Sequence, residues 1–257
     1  MEVLVPRQFE VTKKVAVVTG SSSGIGLSIV KGYLQEGYVV FSIARRTIDS
    51  LSKDHYHLVA DLSEWSENAR VSTLIKSKVK SVDTLINNVG KSEWKSLENI
   101  NHKFLEKMFS LNVNSYFAMT KSLLSSLSGD ASIINISSMA GKRGSANNSV
   151  YSATKFAVNG LTQSLAKELG PRGIRVNALC PVLVESEGLT MALEQPEAPA
   201  EKVGAEVFLQ QFAASQSALN RLPSAEDVAN FCIFLSSSYS NSITGQCINI
   251  DCGVFPQ

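Results

Sequence analysis

Three kinds of residue pattern are scarce or missing in this 257-residue sequence, and each excludes a class of function. Histidine occurs only at positions 55, 57 and 102, and the spacing of these residues matches no metal-binding motif. Aromatic residues make up 7% of the chain, and it has no run of about 18 uninterrupted apolar residues that would predict a membrane span. We therefore expect no metal site and no membrane association.

Neither sign of charge dominates the sequence. The 24 lysines and arginines against 23 acidic residues leave a formal net charge of +1, and the basic residues are scattered, so we expect no nucleic-acid partner. The first 14 residues lack a basic region followed by an apolar one, which excludes a secretion signal and predicts a cytoplasmic protein. The four cysteines form no C-x-x-C pair, and we expect buried free thiols in a reducing compartment.

The apolar residues form an alternation of strand and helix patterns. A continuous run of the kind found at 15–19, VAVVT, is typical of a strand buried on both faces. We predict strands at 15–19, 38–44, 56–60, 82–87, 131–137, 174–180 and 246–251, and helices at 24–36, 65–79, 103–127, 149–169 and 224–237. This order favours an α/β fold, a Rossmann-like doubly wound parallel sheet of about seven strands with helices on both faces, as a single domain over 1–257.

Two segments lie outside this alternation. Residues 1–13 are predicted to form an N-terminal extension. Residues 182–222 are rich in Glu, Ala and Gln and carry no strand pattern. Because so long a loop in a compact domain usually has a function, we predict a partly helical substrate-binding lid there, with a plain surface insertion as the alternative.

A glycine-rich turn joins the first strand to the first helix. It reads TGSSSGIG from Thr19 to Gly26. A helix that begins at such a turn offers free N–H groups and a partial positive charge to a pyrophosphate, which predicts a dinucleotide site rather than a tight turn without a ligand. The residues that we expect to contact the cofactor here are Gly20, Ser22, Ser23, Gly24, Ile25 and Gly26.

The end of the second strand bears on the choice of cofactor. Dinucleotide folds that bind NAD carry an acidic residue here, which bonds the adenine ribose. This sequence instead has Ala44 followed by Arg45 and Arg46. Because a guanidinium can bind a 2′-phosphate in a bidentate manner, we predict NADP(H), with NAD(H) as the alternative cofactor. The alternative reading of the two arginines is that they are simply solvated.

Several motifs in a fixed order together resemble the short, single-domain branch of the short-chain dehydrogenase/reductase family. They are the glycine turn, NNVG at 87–90, Asn112 in LNVNSYF, Ser138 in INISSMAG, and the pair Tyr151-x-x-x-Lys155. The resemblance extends from about residue 13 to residue 253. It implies an oxidoreductase that interconverts a ketone and a secondary alcohol by hydride transfer.

The resemblance implies a role for each of four catalytic residues. Tyr151 would be the general acid or base, and Ser138 would hydrogen-bond the same substrate oxygen. Lys155 lies four residues after Tyr151, on the same helix face, so we expect its charge to lower the pKa of the phenol. Lys155 would also hold the nicotinamide ribose, and Asn112 would position a water that links Lys155 to solvent.

Further cofactor contacts follow from the resemblance, and some positions depart from the family pattern. Besides the arginines and the glycine turn, the expected contacts are Asp61, Leu62, Asn88, Gly90, Tyr151, Lys155, Pro181, Val184 and Ser186. Asp61 would hold the adenine, and Ser186 keeps the hydroxyl of an expected threonine. The departures are Val182, where the family has glycine, and Cys252, which replaces a glycine near the C-terminus.

The substrate, the assembly and one alternative function remain open from the sequence. The substrate is a small-molecule ketone or alcohol, with a β-ketoacyl thioester, a keto-sugar and a small polyol as candidates. Four acidic residues of the lid argue against a strongly anionic carrier docking there: Glu185, Glu187, Glu194 and Glu197. The alternatives to an NADPH-dependent ketoreductase are an NAD-dependent alcohol or sugar dehydrogenase and a non-catalytic dinucleotide-binding regulator. The family implies a homodimer or homotetramer that pairs the long helices 103–127 and 149–169.

Overall fold

Seven parallel strands form one sheet at the centre of the protein, whose computed structural model describes residues 13–256. The strand order is β3-β2-β1-β4-β5-β6-β7. The strands are β1 (Val15–Thr19), β2 (Val39–Ala44), β3 (His55–Val59), β4 (Val82–Asn87), β5 (Leu127–Ile136), β6 (Arg175–Pro181) and β7 (Cys247–Ile250). Since β1 and β2 are buried at every position, both faces of the sheet are covered, as their unbroken apolar pattern predicted.

Helices cover the two faces of the sheet and enclose two apolar cores. They are α1 (Gly24–Gln35), α2 (Trp65–Lys76), α3 (His102–Phe109), α4 (Ser115–Leu123), α5 (Ser149–Leu169), α6 (Glu187–Leu193), α7 (Ala205–Gln216) and α8 (Ala225–Ser236). Val17 faces the core made with α2, α4 and α5, whereas its neighbour Val18 faces the core made with α1 and α8. The predicted doubly wound sheet is therefore confirmed.

The strand order reverses at β1, and this reversal determines where a ligand can bind. β1 lies between β2 and β4, so the chain proceeds in one direction to β3 and in the other to β7. Crossover connections on opposite faces then leave a crevice outside the carboxyl ends of these strands, where open α/β sheets bind their ligands. The glycine turn, which follows Thr19 at the end of β1, opens directly onto this crevice.

The predicted helix at 103–127 is wrong in its continuity and its end. The structure has α3, then a π-helical turn at Ser110–Asn114, then α4, which ends at Leu123. The strand that follows begins at Leu127 instead of 131, since Leu127 already pairs with Val82. The hydrogen bonds of a π turn span one more residue than those of an α-helix, and such turns often mark a functional position. The apolar spacing of the sequence gives no sign of it.

The segment at 182–222 carries α6 and α7 and a small core of its own. Leu193, Ala200 and Leu209 are buried together, and the partly buried Trp94 and Phe208 pack against them. The expected partly helical character is present. The predicted extension at 1–13 lies, apart from Lys13, outside the described residues. Between residues 13 and 256, no helix is both long and apolar enough to cross a bilayer.

The four cysteines are free, but only two are buried. Cys180 and Cys232 are buried, whereas Cys247 and Cys252 are partly exposed, so the expectation of four buried thiols is wrong for two of them. Cys252 adopts a φ of 53°. This left-handed conformation favours glycine, so the glycine that the family pattern has here would be less strained than Cys252. The carbonyl of Cys252 accepts hydrogen bonds from Leu219 N and Ser217 Oγ, and these contacts hold the turn in place.

Candidate active site

A cleft of about 1120 Å³ opens at the carboxyl edge of the sheet. Its walls come from the glycine turn, from the ends of β2 to β6 and from the 182–222 segment. Every residue predicted above to contact the cofactor lines this cleft, together with Ser138, Tyr151 and Lys155 of the predicted catalytic set. Val182, the departure from the family's glycine, lines it as well.

The glycine turn is closed tightly upon itself. Gly20 has a φ of +65°, and a β-carbon built on Gly26 would lie 2.1 Å from the carbonyl oxygen of Gly20, so neither position accepts a side chain. Asn88 secures the turn from β4, because its side-chain amide donates to the carbonyl oxygens of Thr19 (3.0 Å) and Gly20 (2.9 Å). Asn88 of the NNVG motif therefore supports the glycine turn.

The start of α1 lines the cleft, and the first amide groups of a helix have no partner within the helix. Ser23 precedes the helix with extended backbone, and within the described chain its side chain makes no capping hydrogen bond. Arg46 instead donates a hydrogen bond of 3.0 Å to Ser23 Oγ and lies 4.0 Å from the carboxylate of Glu187. Arg45 is exposed at the end of β2 and lines the same wall.

The donor set at this end of the cleft fits a dinucleotide. Free amides and two guanidinium groups suit phosphates, while Asp61 lies just beyond β3 as the one acidic group of the described lining. Its Oδ1 accepts hydrogen bonds from Ser63 N (3.1 Å) and Ser63 Oγ (2.8 Å), which fix the carboxylate. Cationic and anionic groups are thus held at separate points, as a phosphate and an adenine would require.

Three of the predicted catalytic side chains meet where β5 ends and α5 begins. Lys155 is 3% exposed, and its ammonium donates a 2.8 Å hydrogen bond to the carbonyl oxygen of Ile136, the last residue of β5. The same Nζ lies 5.7 Å from the centre of the Tyr151 ring. The Ser138 side chain accepts from Ala140 N at 3.1 Å, and it lies near enough to the Tyr151 phenol to lower the pKa of that group. One oxygen of a substrate could contact both hydroxyls at once.

Burial sets the pKa values of this group. It raises the pKa of Tyr151 to about 12, because the phenolate loses its hydration, and the nearby Ser138 hydroxyl offsets only part of that rise. Burial likewise lowers the pKa of Lys155 to about 8, since an ammonium is disfavoured in the same surroundings. The pKa of Tyr151 thus lies above its ordinary value and not below it as expected, and the group that offsets part of the rise is Ser138 and not Lys155.

Asn112 lies behind the wall of the cleft. It is fully buried in the π-helical turn, its Oδ1 accepts from Lys91 N at 2.9 Å, and its amide donates to Lys91 O (3.0 Å) and Thr154 Oγ1 (3.2 Å). A β-carbon built on Gly90 would lie 3.2 Å from Asn112 Oδ1 and 3.6 Å from Lys155 Nζ. Gly90 has no side chain, so the space beside its α-carbon is not filled. Asn112 Oδ1 and Lys155 Nζ border that space.

Most of the residues at the far end of the cleft were not predicted from the sequence. Apolar side chains form this wall, and they are Trp94, Leu183, Met191, Phe208 and Phe212. They come from separate loops and helices, so no spacing in the sequence connects them. Arg143, which follows Ser138 in the loop after β5, also lines the cleft and was not singled out.

Two left-handed residues connect the 182–222 segment to the rest of the site. Asn147 and Glu197 have φ values of 55° and 70°. Asn147 Nδ2 donates to the carbonyl oxygen of Glu197 at 3.1 Å, and the Glu197 carboxylate accepts from Ser96 N and from the Asn99 side chain. These contacts hold the segment over the loops that follow β4 and β5.

Comparison with known proteins identifies the family. The family model described as short chain dehydrogenase matches residues 14–197. The chain belongs to the short-chain dehydrogenase/reductase family. This family assignment agrees with the seven-stranded sheet and with the arrangement of its motifs at the carboxyl edge.

Individual members of the family match almost the whole chain. A 3α-hydroxysteroid dehydrogenase of Mediterraneibacter gnavus is 32% identical over 251 residues, covering 93% of this chain and 95% of the relative. A 3-oxoacyl-[acyl-carrier-protein] reductase of Thermotoga maritima is 31% identical over 252 residues, covering 94% and 97%. The crystal structure of an actinorhodin polyketide ketoreductase variant with NADPH superposes with a TM-score of 0.85 at 26% identity, covering 94% of this chain and 97% of that one.

The buried ammonium of Lys155 should reduce the stability of the protein below pH 8. Because its pKa falls from 10.5 to about 8 on folding, the unfolded chain binds more protons between these pH values, and stability rises with pH across that window. We predict that Lys155→Met is more stable than the wild type at pH 7 by up to about 3 kcal/mol, with the difference shrinking towards pH 10.

Urea unfolding at several pH values measures this difference. Lys167→Met, which removes an exposed lysine from the same helix, is the matched control and should show no such pH dependence. A Lys155→Met protein that is less stable than the wild type by the same amount at pH 7 and pH 10 would contradict the prediction.

Proposed function

We propose that the protein is an NADP(H)-dependent oxidoreductase that interconverts a ketone and a secondary alcohol, with Tyr151 as its general acid and base. The observation that supports this most strongly is the cluster of the buried Lys155 with the partly buried Tyr151 and Ser138, on the wall of a cleft whose other end suits a dinucleotide. The similarity to a 3-oxoacyl-[acyl-carrier-protein] reductase and to a ketoreductase structure that contains NADPH supports the same reaction.

The two hydroxyl groups act on one substrate oxygen. Tyr151 donates its proton to the carbonyl oxygen in reduction and removes the proton from the alcohol in oxidation. Ser138 donates a second hydrogen bond to that oxygen and stabilises the negative charge that develops on it. A bound nicotinamide supplies or accepts the hydride. Since the pKa of Tyr151 is about 12, the protonated phenol is the form present at neutral pH, which suits the direction of reduction.

The proton that Tyr151 donates is replaced through Lys155. Lys155 has a pKa of about 8 and can therefore exchange a proton near neutral pH, unlike the phenol. The space beside Gly90 is bordered by Lys155 Nζ and Asn112 Oδ1. In the proposed scheme a water in this space bridges the two groups. Asn112 is a positioning residue in this scheme, since its amide is held by Lys91 and Thr154 and directs one oxygen to that space.

The 182–222 segment serves as a substrate-binding lid. Its helices line the far end of the cleft with apolar side chains, including Met191, Phe208 and Phe212. The Glu197 contacts with the loop at 96–99 attach it over the reaction centre. A lid with its own small core moves as a unit and excludes water when it closes.

Replacing Tyr151 by phenylalanine tests the proposed reaction. We expect turnover of a ketone with NADPH to fall by about 10²- to 10⁴-fold, because the substrate oxygen loses its proton donor. Binding of NADPH, followed by calorimetry, should be retained. Tyr239→Phe is the matched control, since this tyrosine is 87% exposed and should leave turnover unchanged. Near-normal activity of Tyr151→Phe would overturn the assignment.

Replacing Arg45 by aspartate tests the proposed cofactor. A charged hydrogen bond to the 2′-phosphate contributes about 1.5–3 kcal/mol, so NADPH should bind about 10- to 100-fold more weakly, with a much smaller change for NADH. Arg46→Asp should show the same selectivity if both guanidinium groups contact the phosphate. Lys53→Asp removes an exposed cation away from the cleft and is the control. Equal losses for NADPH and NADH would exclude these arginines as phosphate ligands.

We expect a homodimer or homotetramer that pairs α4 and α5 with a second copy. The two helices pack through Tyr116, Val158 and Leu161, yet Phe117 remains 46% exposed on α4 and Phe156 50% exposed on α5. Light scattering should give two or four times the 27.8 kDa of one chain, and Phe156→Asp should reduce that mass. Leu97→Asp, at a position 82% exposed outside these helices, should not. A monomeric wild type would contradict the expectation.

A further inference from the structure

The charges along the cleft are distributed unevenly. Among the described residues, the charged side chains that line it are Arg45, Arg46, Asp61, Lys91, Lys155 and Arg143. The first three follow β2 and β3, on one side of the point where the strand order reverses, and Lys155 belongs to the reaction centre. Lys91 and Arg143 follow β4 and β5 on the other side, so they are the charges beside the substrate.

These two cations differ in their partners. Lys91 is paired with the Glu93 carboxylate at 2.7 Å, and Lys107 approaches the same carboxylate at 2.9 Å. Arg143 has no carboxylate within ion-pair distance in the described chain, from residue 13 to residue 256. Its guanidinium lies 5.5 Å from the centre of the Phe255 ring. Such a contact at an exposed site favours this position of the guanidinium and occupies none of its N–H donors.

The acidic residues of the lid do not neutralise Arg143. Glu187 lies beside Arg46, the Glu194 carboxylate accepts from Ala205 N at 3.2 Å, and Glu197 is bonded to the loop at 96–99. Of the residues that the structure describes, no glutamate lines the cleft. The carboxylates of the lid therefore make no direct contact with an anionic group bound inside the cleft, contrary to the expectation from the sequence.

We propose that Arg143 determines specificity by binding an anionic group of the substrate, whose apolar part lies along the wall formed by Trp94, Leu183 and Met191. This inference rests on the proposed function and names the class of its substrate. A guanidinium at the edge of an apolar wall is matched by a carboxylate or a phosphate, because both accept two parallel hydrogen bonds from its planar fork. Phe255 is a positioning residue that holds the guanidinium at the cleft.

Two matched pairs of ketones test the proposal on the full-length protein with NADPH. In the first, 6-oxoheptanoate is compared with its uncharged methyl ester. In the second, acetoacetyl-coenzyme A is compared with acetoacetyl-N-acetylcysteamine, which lacks the phosphates. We expect Arg143→Gln to lower kcat/KM for the charged member of at least one pair by about 10- to 100-fold, mainly through KM, and to leave the neutral member unchanged. The pair that responds identifies a carboxylate or a phosphate as the group bound.

Three further variants separate recognition from structural effects. Arg143→Lys keeps the charge and should restore part of the preference, whereas Lys142→Gln removes a charge from the adjacent position, outside this cleft, and should not affect it. Phe255→Leu should raise KM for the charged ketone only. The preference should also fall as salt is added, because an exposed charge pair is screened.

The possible outcomes distinguish this inference from the proposed function. If the wild type reduces the ketones but Arg143→Gln affects charged and neutral members alike, the assignment of Arg143 is overturned while the reaction stands. If none of the ketones is reduced with either cofactor, the proposed function fails for these ketones. Calorimetry with 6-hydroxyheptanoate and coenzyme A then decides the inference: binding to the wild type that Arg143→Gln weakens supports it, and equal or no binding to the two proteins refutes it.

Discussion

The hydrogen bond between the buried ammonium of Lys155 and the carbonyl oxygen of Ile136 connects the site to the fold. Ile136 ends β5, and its carbonyl also accepts from the Tyr116 phenol, so the end of the strand is fixed from two helices. Tyr151 lies one helical turn before Lys155, and Ser138 lies two residues beyond Ile136. A single contact between a helix and a strand end therefore fixes the relative positions of three side chains.

The burial of Lys155 at this contact also reduces the stability of the folded protein. An ammonium group in these surroundings loses hydration that one carbonyl and two nearby rings replace only in part. Its pKa of about 8 expresses that loss, and the raised pKa of Tyr151 expresses the corresponding loss for a phenolate. Proteins commonly retain such destabilising groups where chemistry requires a proton to move near neutral pH.

Much of the fold could be predicted from the sequence, because buried parallel strands are continuous apolar runs. The strands at 15–19 and 82–87 have the predicted bounds. The helix at 103–127 could not be predicted correctly, since Ser110–Asn114 differs from an α-helix in hydrogen bonding and not in apolar pattern. The positions of the motif residues were predictable from their order along the chain, whereas the pKa of Tyr151 was not, because burial is invisible in a four-residue spacing.

The residues at the substrate end of the cleft could not be predicted from the sequence either. Trp94, Arg143 and Phe208 come from three separate segments and meet only in the folded protein. The acidic residues of the lid looked like an electrostatic barrier in the sequence, yet Glu194 and Glu197 are engaged by backbone amides. Composition therefore could not show that these carboxylates are turned to other partners and lie outside the lining of the cleft.

The position of Gly90 beside Asn112 and Lys155 determines which substitutions it accepts during evolution. Unlike Gly20, it has no left-handed φ, so an alanine there would not strain the backbone, although it would press closely on Asn112. What its lack of a side chain preserves is the space between Asn112 Oδ1 and Lys155 Nζ, where the proposed water would lie. Selection for folding alone would tolerate drift at this position, and only selection for turnover would preserve the glycine.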